Sequence, residues 1–287
     1  MPHRLLCVAI LVFWSLAAGA LFTRDLLPTL MVGDPPDLRA ITQADDRPTE
    51  THWGIMVLSD GKDESSLRSV GRATTRSERK RDGWYSLSSE AQIDAGELLK
   101  GTPFQWVQAE RIEVGGTYNI DPSGNLDYFR AWVRPDDGSR LDLLTITGQL
   151  EGGELVVTMQ GPVAALNTER RFPYQPRGLV HNALGPLDRM PGLQVSQRWE
   201  SRVVSPLTGR VETGTVEVVR RSSIIWDSNP VAALEVVTKV GPLSARTWVR
   251  PADGLVLRQE VPFPFVKMRL DRIPDQDATP LARDDRE

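Results

Sequence analysis

Apolar and polar side chains alternate along many short segments from Trp53 onward. Successive side chains of a β-strand point to opposite faces, so this period of two predicts an antiparallel sheet with one buried and one solvated face. Three sets of residues are each expected to share a strand face: Tyr85, Leu87, Ser89, Ala91 and Ile93; Ala232, Leu234, Val236, Thr238 and Val240; and Val266, Met268 and Leu270. Two further segments, "LDLLTIT" (141–147) and "LEVV" (234–237), are apolar at adjacent positions, which predicts cover on both faces.

Turn signals separate these segments at short intervals. Asp82-Gly83, Gly152-Gly153 and Gly241-Pro242 are examples. Short strands with this punctuation indicate a meander, sandwich or barrel rather than βαβ units. The best helix candidate is short, Asp94–Lys100. The predicted fold class is therefore mainly β, a curved antiparallel sheet or half-barrel.

The chain contains nearly the same phrase twice, "AWVRPDDG" at Ala131–Gly138 and "TWVRPADG" at Thr247–Gly254. Proline cannot donate to a sheet ladder, and Asp-Gly supplies the positive φ angles of a tight turn, so each copy predicts a hairpin tip. Tryptophan spacing agrees as well, 48 residues in one pair and 49 in the other: Trp84 and Trp132, then Trp199 and Trp248. We interpret this as two related halves; a duplication and the repeated use of one hairpin type both account for it.

The N-terminal segment from Leu5 to Phe22 carries no charge, and Arg4 precedes it. Its length just reaches that of a spanning helix, so we predict an uncleaved single-pass anchor over 1–23, with the remainder extracytoplasmic, on the periplasmic side of the inner membrane. A cleaved signal peptide, cut after Ala20, is the alternative and exports the same remainder. The chain's one cysteine, Cys7, lies in this segment, so the exported part has neither a disulfide nor a cysteine-ligated metal.

Composition divides the rest of the chain. Residues 24–51 are rich in Pro and Asp and indicate a linker, residues 52–171 and 195–274 are the two β-rich halves, and 275–287 is predicted to be a disordered tail. The connector at 172–194 combines prolines and glycines with many apolar side chains. A solvated connector of this length would be polar, so we predict that it packs against the sheet as a flap.

Charge excludes one class of partner. The formal net charge of the 287 residues is −4, whereas a nucleic-acid binder needs a basic face. A basic run at Gly71–Arg81 has two interpretations: contact with anionic lipid headgroups or polyanions through Arg72, Arg76, Arg79, Lys80 and Arg81, or a solvated strand edge and loop that resists aggregation. We favour the second.

Catalytic and metal chemistry have little support. The three histidines are His3, His52 and His181, and no nucleophile elbow, phosphate loop or dinucleotide fingerprint accompanies them. His181 in the connector is expected to be an ordinary loop histidine, and Asp136-Asp137 to be turn residues. We therefore predict no enzyme, no metal and no cofactor.

Two segments carry a family resemblance: "GLQVSQRWESRVVSPLTGR" (Gly192–Arg210) and "WVRPADGLVLRQEV" (Trp248–Val261). Their order of turns and strands resembles uncharacterised bacterial envelope proteins, some of them transglutaminase-associated β-regions. More distantly, it is similar to the curved half-barrels of periplasmic lipoprotein carriers. The resemblance covers Gly192–Ile273, with a weaker echo in Trp53–Gly148, and it implies a concave face that holds acyl chains under a lid. It carries over no individual ligand-binding residue.

These observations predict a membrane-tethered β-domain that binds an apolar or amphiphilic, lipid-like ligand between sheet and flap. The expected ligand-contacting residues are Leu179, Val180, Leu184, Leu187, Met190, Trp132 and Trp248. The alternative is a non-enzymatic structural or accessory module that binds another envelope protein through a sheet edge or apolar face.

Overall fold

The structure is a computed structural model, and it describes residues 49–58, 67–100, 111–122, 125–136, 142–162, 164, 167–173, 188–204, 211–241, 243–263 and 266–274. The predicted anchor, most of the linker and the predicted tail lie outside these ranges. Within them, no helix has both the length and the apolar character that a membrane span requires.

Strands dominate the described residues. They are β1 (Thr49–Leu58), β2 (Leu67–Arg79), β3 (Tyr85–Asp94), β4 (Arg111–Ile120), β5 (Leu126–Pro135), β6 (Leu144–Glu151), β7 (Glu154–Gln160), β8 (Thr168–Pro173), β9 (Arg198–Val204), β10 (Val211–Trp226), β11 (Asn229–Val240), β12 (Leu243–Val249), β13 (Val256–Phe263) and β14 (Val266–Arg272). A helix, α1 (Ala95–Leu99), follows β3, and a 3-10 turn covers Arg81–Gly83.

All fourteen strands belong to one antiparallel sheet, in the order β8-β7-β6-β5-β4-β3-β2-β1-β14-β13-β12-β11-β10-β9. Each strand lies beside its neighbour in sequence, except where β1 pairs with β14, from Trp53 opposite Arg272 to Leu58 opposite Lys267. This single long-range pairing joins the two halves of the chain into one sheet. The two outermost strands, β8 and β9, are consecutive in sequence. The predicted mainly β, antiparallel class is confirmed.

The sheet curves around one of its faces, which we call the inner face. Trp53, Ile55, Met268 and Leu270 on the inner face of β1 and β14 are at most 1 % exposed. Among the described residues, the only other elements in this core are α1, through Leu98, and the short segment from Asp188 to Leu193. Strands of the same sheet must therefore cover one another, which requires a rolled rather than a flat sheet.

Local sequence explains the short helix after β3. Asp94 is its N-cap, and its side chain accepts a hydrogen bond from the backbone N–H of Glu97 at 2.9 Å. Arg68 of β2 pairs with Glu97 at 2.9 Å, and Leu98 enters the core. The helix predicted at Asp94–Lys100 is thus confirmed, one residue shorter at each end.

The alternation predicted from sequence holds on β3, where Tyr85, Ser89, Ala91 and Ile93 are buried. Residues 234–236 of the "LEVV" segment, on β11, are covered on both faces as expected. Leu234 is 3 %, Glu235 4 % and Val236 1 % exposed. The inner cover is the main core, and the outer cover is a second apolar cluster. That outer cluster consists of Ile224, Ala233, Trp248, Leu255 and Leu257, with Trp226 and Val231 at its border.

The tip of the long β10–β11 hairpin lies over the outer face of β13 and β14. The Trp226 indole N–H donates to the Arg272 carbonyl oxygen at 2.9 Å, and Arg258 Nη2 donates to the Ile225 carbonyl oxygen at 3.3 Å. Beneath the tip, Arg258 and Arg269 both contact Asp271, at 2.6 and 2.8 Å. The alternation of β14 predicts a solvated Arg269. Instead this side chain is 7 % exposed and is paired with Asp271.

Both repeated phrases stand where a strand ends and an antiparallel partner returns, between β5 and β6 and between β12 and β13. In the second copy Arg250 and Asp253 pair through two hydrogen bonds, at 3.0 and 2.6 Å, and Gly254 has φ +71°. The matching tryptophan spacings do not enclose matching structure: the first span contains β3 to β5 and the second contains β9 to β12.

Candidate functional site

The inner face has two parts that differ in cover. Along β1–β3 and β10–β14 it is sealed, with side chains such as Val57, Val218 and Val249 at most 2 % exposed. Along β4–β8 a smaller cluster of Leu126, Phe129, Ile146, Leu155 and Val157 forms the floor. The sealed part is ordinary core, so a ligand that binds inside the sheet must use the second part.

Apolar side chains on the inner face of β4–β8 are only partly buried. We call this surface the open apolar face; it comprises Tyr118, Leu144, Met159 and Phe172, which pack on the floor cluster, and Ile112 and Val114, which border the main core. The register supports one shared face, because Tyr118 lies opposite Phe129, and Leu155 lies opposite Phe172. The surface can therefore bind apolar groups by burial alone.

A glycine shapes the floor of this face. Phe129 lies against Gly148 on the neighbouring strand, and a Cβ at Gly148 would come within 2.0 Å of its ring. The ring also stacks on Tyr118, with centroids 6.0 Å apart and an interplanar angle of 20°. Glycine is required here because the aromatic ring occupies the space of a side chain.

A cation in the described part of β8 is on the inner side with these apolar groups. Arg170 of β8 lies opposite Val157, so it points to the same side of the sheet, and it is exposed. Because β8 is an outermost strand, this guanidinium lies at the border of the open apolar face. An apolar surface with a cation at its border suits an amphiphile with an anionic head.

The end of the connector is fixed to the sheet by a cluster that we call the clasp: Asp188, Thr51 and Arg272. Asp188 Oδ1 accepts a hydrogen bond from Thr51 Oγ1 at 2.7 Å and one from Arg272 Nη1 at 2.5 Å. Arg272 also donates to Thr51 Oγ1 at 3.2 Å, and its guanidinium lies 5.9 Å from the Trp53 ring centroid. The clasp joins β1, β14 and the connector in one buried network.

Backbone hydrogen bonds continue this attachment. The Val256 N–H donates to the Asp188 carbonyl at 3.0 Å, and the Met190 N–H donates to the Gly254 carbonyl at 2.7 Å. The Met190 side chain is buried in the main core, and Leu193 packs against it. This end of the connector packs on the sheet. Leu179, Val180, Leu184 and Leu187 lie outside the described residues.

The structure does not bring the two expected ligand-binding tryptophans together with Met190. Trp248 is buried in the outer cluster, whereas its neighbour Val249 belongs to the inner core. Trp132 lies opposite Gly115, and its neighbour Val133 pairs with the inner residue Val114. Both tryptophans are therefore on the outer face, and a ligand on the inner face would not contact them.

The basic run occupies β2 and the turn that follows it. This strand is paired on both sides, with β1 and with β3, so the expected strand edge is wrong. Arg72 is exposed, Arg76 lies 3.7 Å from Glu78, and the Arg79 guanidinium is 5.9 Å from the Tyr85 ring centroid. Lys80 is exposed beside them. Glu78, the acidic residue of the run, offsets part of the positive charge expected of a headgroup contact.

Among the described residues, Glu113 and Asp253 have carboxyl groups with a shifted pKa. Burial, with the nearby Glu90, Asp136 and Asp142 carboxylates, raises the pKa of Glu113, and Arg134 opposes this shift. Hydrogen bonds from Arg250 lower the pKa of Asp253. His52 lies 3.2 Å from Thr74 Oγ1. Within the described ranges, no three His, Cys, Asp or Glu side chains converge as metal ligands do.

Sequence reasoning missed the clasp and Arg170. The clasp joins residues 137 and 84 positions apart, and no local pattern reports such a pairing. Arg170 did have a sequence signal, because it lies two positions before Phe172 and shares its face of β8. Which face of β8 is the inner one is defined only by the pairing with β7.

One solved structure similar to this chain is the crystal structure of a β-barrel-like protein of a domain of unknown function, DUF1849, from Brucella abortus. Its TM-score is 0.47 and its sequence identity 13 %, over 78 % of this chain and 95 % of that chain. No protein-family model matches the chain, and no curated protein matches it. These comparisons lend no support to the expected similarity to lipoprotein carriers.

Proposed function

We propose that this protein is a non-catalytic binding protein that holds an amphiphilic, lipid-like ligand on the open apolar face of β4–β8. The observation that carries the proposal is the difference in solvent exposure between two parts of the inner face. Val57, Val218 and Val249 are sealed, whereas Leu144, Met159 and their neighbours on β4–β8 remain partly accessible. Partly exposed apolar side chains on a concave surface are typical of ligand sites.

The chemistry of the border narrows the ligand class. Arg170 at the rim would pair with a carboxylate or phosphate head, while the acyl chain packs between Phe172 and Leu144. We further propose that the domain is extracytoplasmic and tethered by the apolar segment from Leu5 to Phe22. Such a location would keep the site beside a source of amphiphiles.

Partner binding through a sheet edge is the weaker candidate. The β8 edge carries Glu169, Arg170 and Arg171 and ends at Pro173. Charges and proline on an edge strand oppose the addition of a further strand. The β8 edge therefore gives little support to the accessory-module alternative. The inner face gives more support to ligand binding.

A fluorescent fatty acid tests the proposal. We expect dansyl-labelled undecanoic acid to bind the full-length chain, and Leu144→Gln to weaken binding about tenfold, because it puts a polar amide on the apolar contact surface. Leu243→Gln is the matched control; Leu243 is 49 % exposed and lies away from this face, so binding should not change. No binding, or an equal loss in both variants, would refute the proposal.

The headgroup is tested separately. Arg170→Gln should weaken binding of the fatty acid several-fold and leave the affinity for the corresponding uncharged alcohol unchanged. An equal effect on both probes would show that Arg170 does not recognise the head. Mass spectrometry of lipids extracted from the purified full-length protein would then identify the natural ligand.

A further inference from the structure

The outer face of the sheet carries a second feature that the inner site does not use. It surrounds Trp132 on β5, and we call it the Trp132 platform: Trp132, Arg130, Arg134, Glu113, Asp142 and Thr145. The ring lies directly on the backbone of β4, because a Cβ at Gly115 would come within 2.1 Å of its Cζ2 atom. One ring face is thus fixed to the sheet, and the other is directed outward.

Charged groups of both signs surround the ring. The guanidinium carbons of Arg134 and Arg130 lie 5.3 and 5.8 Å from the ring centroid. Asp142 accepts hydrogen bonds from Arg130 at 3.1 Å and from Thr145 at 2.8 Å, and Glu113 lies 3.4 Å from Arg134. The two guanidinium groups thus lie over the ring, and the carboxylates that pair with them supply hydrogen-bond acceptors beside it.

One donor of the platform, the buried indole N–H of Trp132, has no acceptor within the part of the chain that the structure describes. The Nε of Arg134 lies 3.4 Å from Glu113 Oε2, an ion-pair contact without hydrogen-bond geometry. Other tryptophans are satisfied: Trp53 donates to Thr75 Oγ1 at 3.0 Å and Trp226 to the Arg272 carbonyl. Unpaired buried donors are costly and call for an explanation. The side chains of Arg130 and Arg134 are 50 % and 33 % exposed, so a ligand that displaces both from the ring would reach the indole.

The geometry points to a neutral sugar ring as the ligand of the Trp132 platform. A sugar packs its C–H face on an indole, and its hydroxyl groups both accept from N–H donors and donate to carboxylates. A purely apolar ligand would leave the charged rim desolvated and unpaired. A cation would compete with the two guanidinium groups already at the ring, and an anion would meet the carboxylates of Glu113 and Asp142.

The raised pKa of Glu113 is consistent with this crowding. Burial, and then the carboxylates of Glu90, Asp136 and Asp142, raise it. An additional anion would be unfavourable beside this group, whereas a hydroxyl can donate to it. The platform is on the face opposite to the open apolar face, so its ligand does not depend on the proposed lipid-like ligand.

A glycan array of neutral and acidic oligosaccharides, probed with the full-length chain, tests the inference. We expect binding to neutral glycans and a loss of about tenfold in Trp132→Ala. Trp132→Phe keeps the ring but removes the N–H, so it should bind several-fold more weakly and carries the test if Trp132→Ala does not fold. Circular dichroism establishes folding for each variant.

Trp226→Phe is the matched control, because Trp226 also lies beside an arginine, with Arg250 at 5.6 Å from its ring centroid. Binding should be unchanged in this variant. Failure of the wild-type chain to bind any neutral glycan would overturn the inference, as would binding to acidic glycans only or an equal loss in both phenylalanine variants. Fatty-acid binding on the inner face should persist in Trp132→Phe.

Discussion

Replacement of Asp188 by alanine should destabilise the whole sheet, because the clasp joins its first strand, its last strand and the connector. Asp188 accepts from Thr51 and Arg272, which are 1 % and 7 % exposed. Removal of one partner leaves the Arg272 guanidinium buried without its carboxylate. Breaking a buried ion pair in this way typically costs about 3–5 kcal/mol. Asp188 retains 13 % side-chain exposure, which favours the lower end, about 3 kcal/mol.

Urea and thermal unfolding of the full-length chain measure this effect. About 3 kcal/mol corresponds to a decrease in Tm of roughly 6–12 °C for a domain of this size. The double variant Asp188→Leu with Arg272→Met removes both charges, so its loss should be at least about 1 kcal/mol smaller than the sum of the single losses. Arg171→Ala is the control: its ion pairs, at 3.5 Å, are solvent-exposed, and its effect should stay within about 0.5 kcal/mol. An unchanged unfolding midpoint for Asp188→Ala would refute the reasoning. Strict additivity of the stability losses of Asp188→Leu and Arg272→Met in the double variant would refute it as well.

Three further predictions concern the floor, the platform and the connector. Gly148→Ala should cost about 1–3 kcal/mol, because its Cβ would overlap Phe129, and Phe129→Leu in the same chain should restore part of it in urea unfolding. Glu113→Gln should slightly raise Tm at pH 7, because the raised pKa of Glu113 means that its ionised form opposes folding. This gain in Tm should disappear as the pH falls below the ordinary glutamate pKa, where the carboxyl is protonated in both the folded and the unfolded chain. A gain in Tm that grows as the pH falls would contradict this sign. Met190→Ala should cost about 2–5 kcal/mol by leaving a cavity, and a loss under 0.5 kcal/mol would show that the connector does not support the core.

Alternation by itself predicted the strand class and which side chains of a strand share a face, because the period of a strand is a property of the backbone. The turn residues of the two repeated phrases predicted where strands reverse, since Pro and Asp-Gly restrict φ locally. The short helix was predictable for the same reason, as Asp94 caps its own next turn. Each of these features depends on residues within a few positions of one another.

The tertiary structure alone decided which side of each strand became inner and what covered it. Trp132 and Trp248 look equivalent to core aromatics in sequence, yet pairing with neighbouring strands places both on the outer face. Arg269 follows the polar alternation, yet it is 7 % exposed and paired with Asp271, which also binds Arg258 of the neighbouring strand. The clasp depends on one pairing, β1 with β14, across almost the whole described chain. Local sequence encodes dihedral angles and side-chain polarity, whereas the partners of a strand depend on how the entire sheet rolls, and no short segment specifies that.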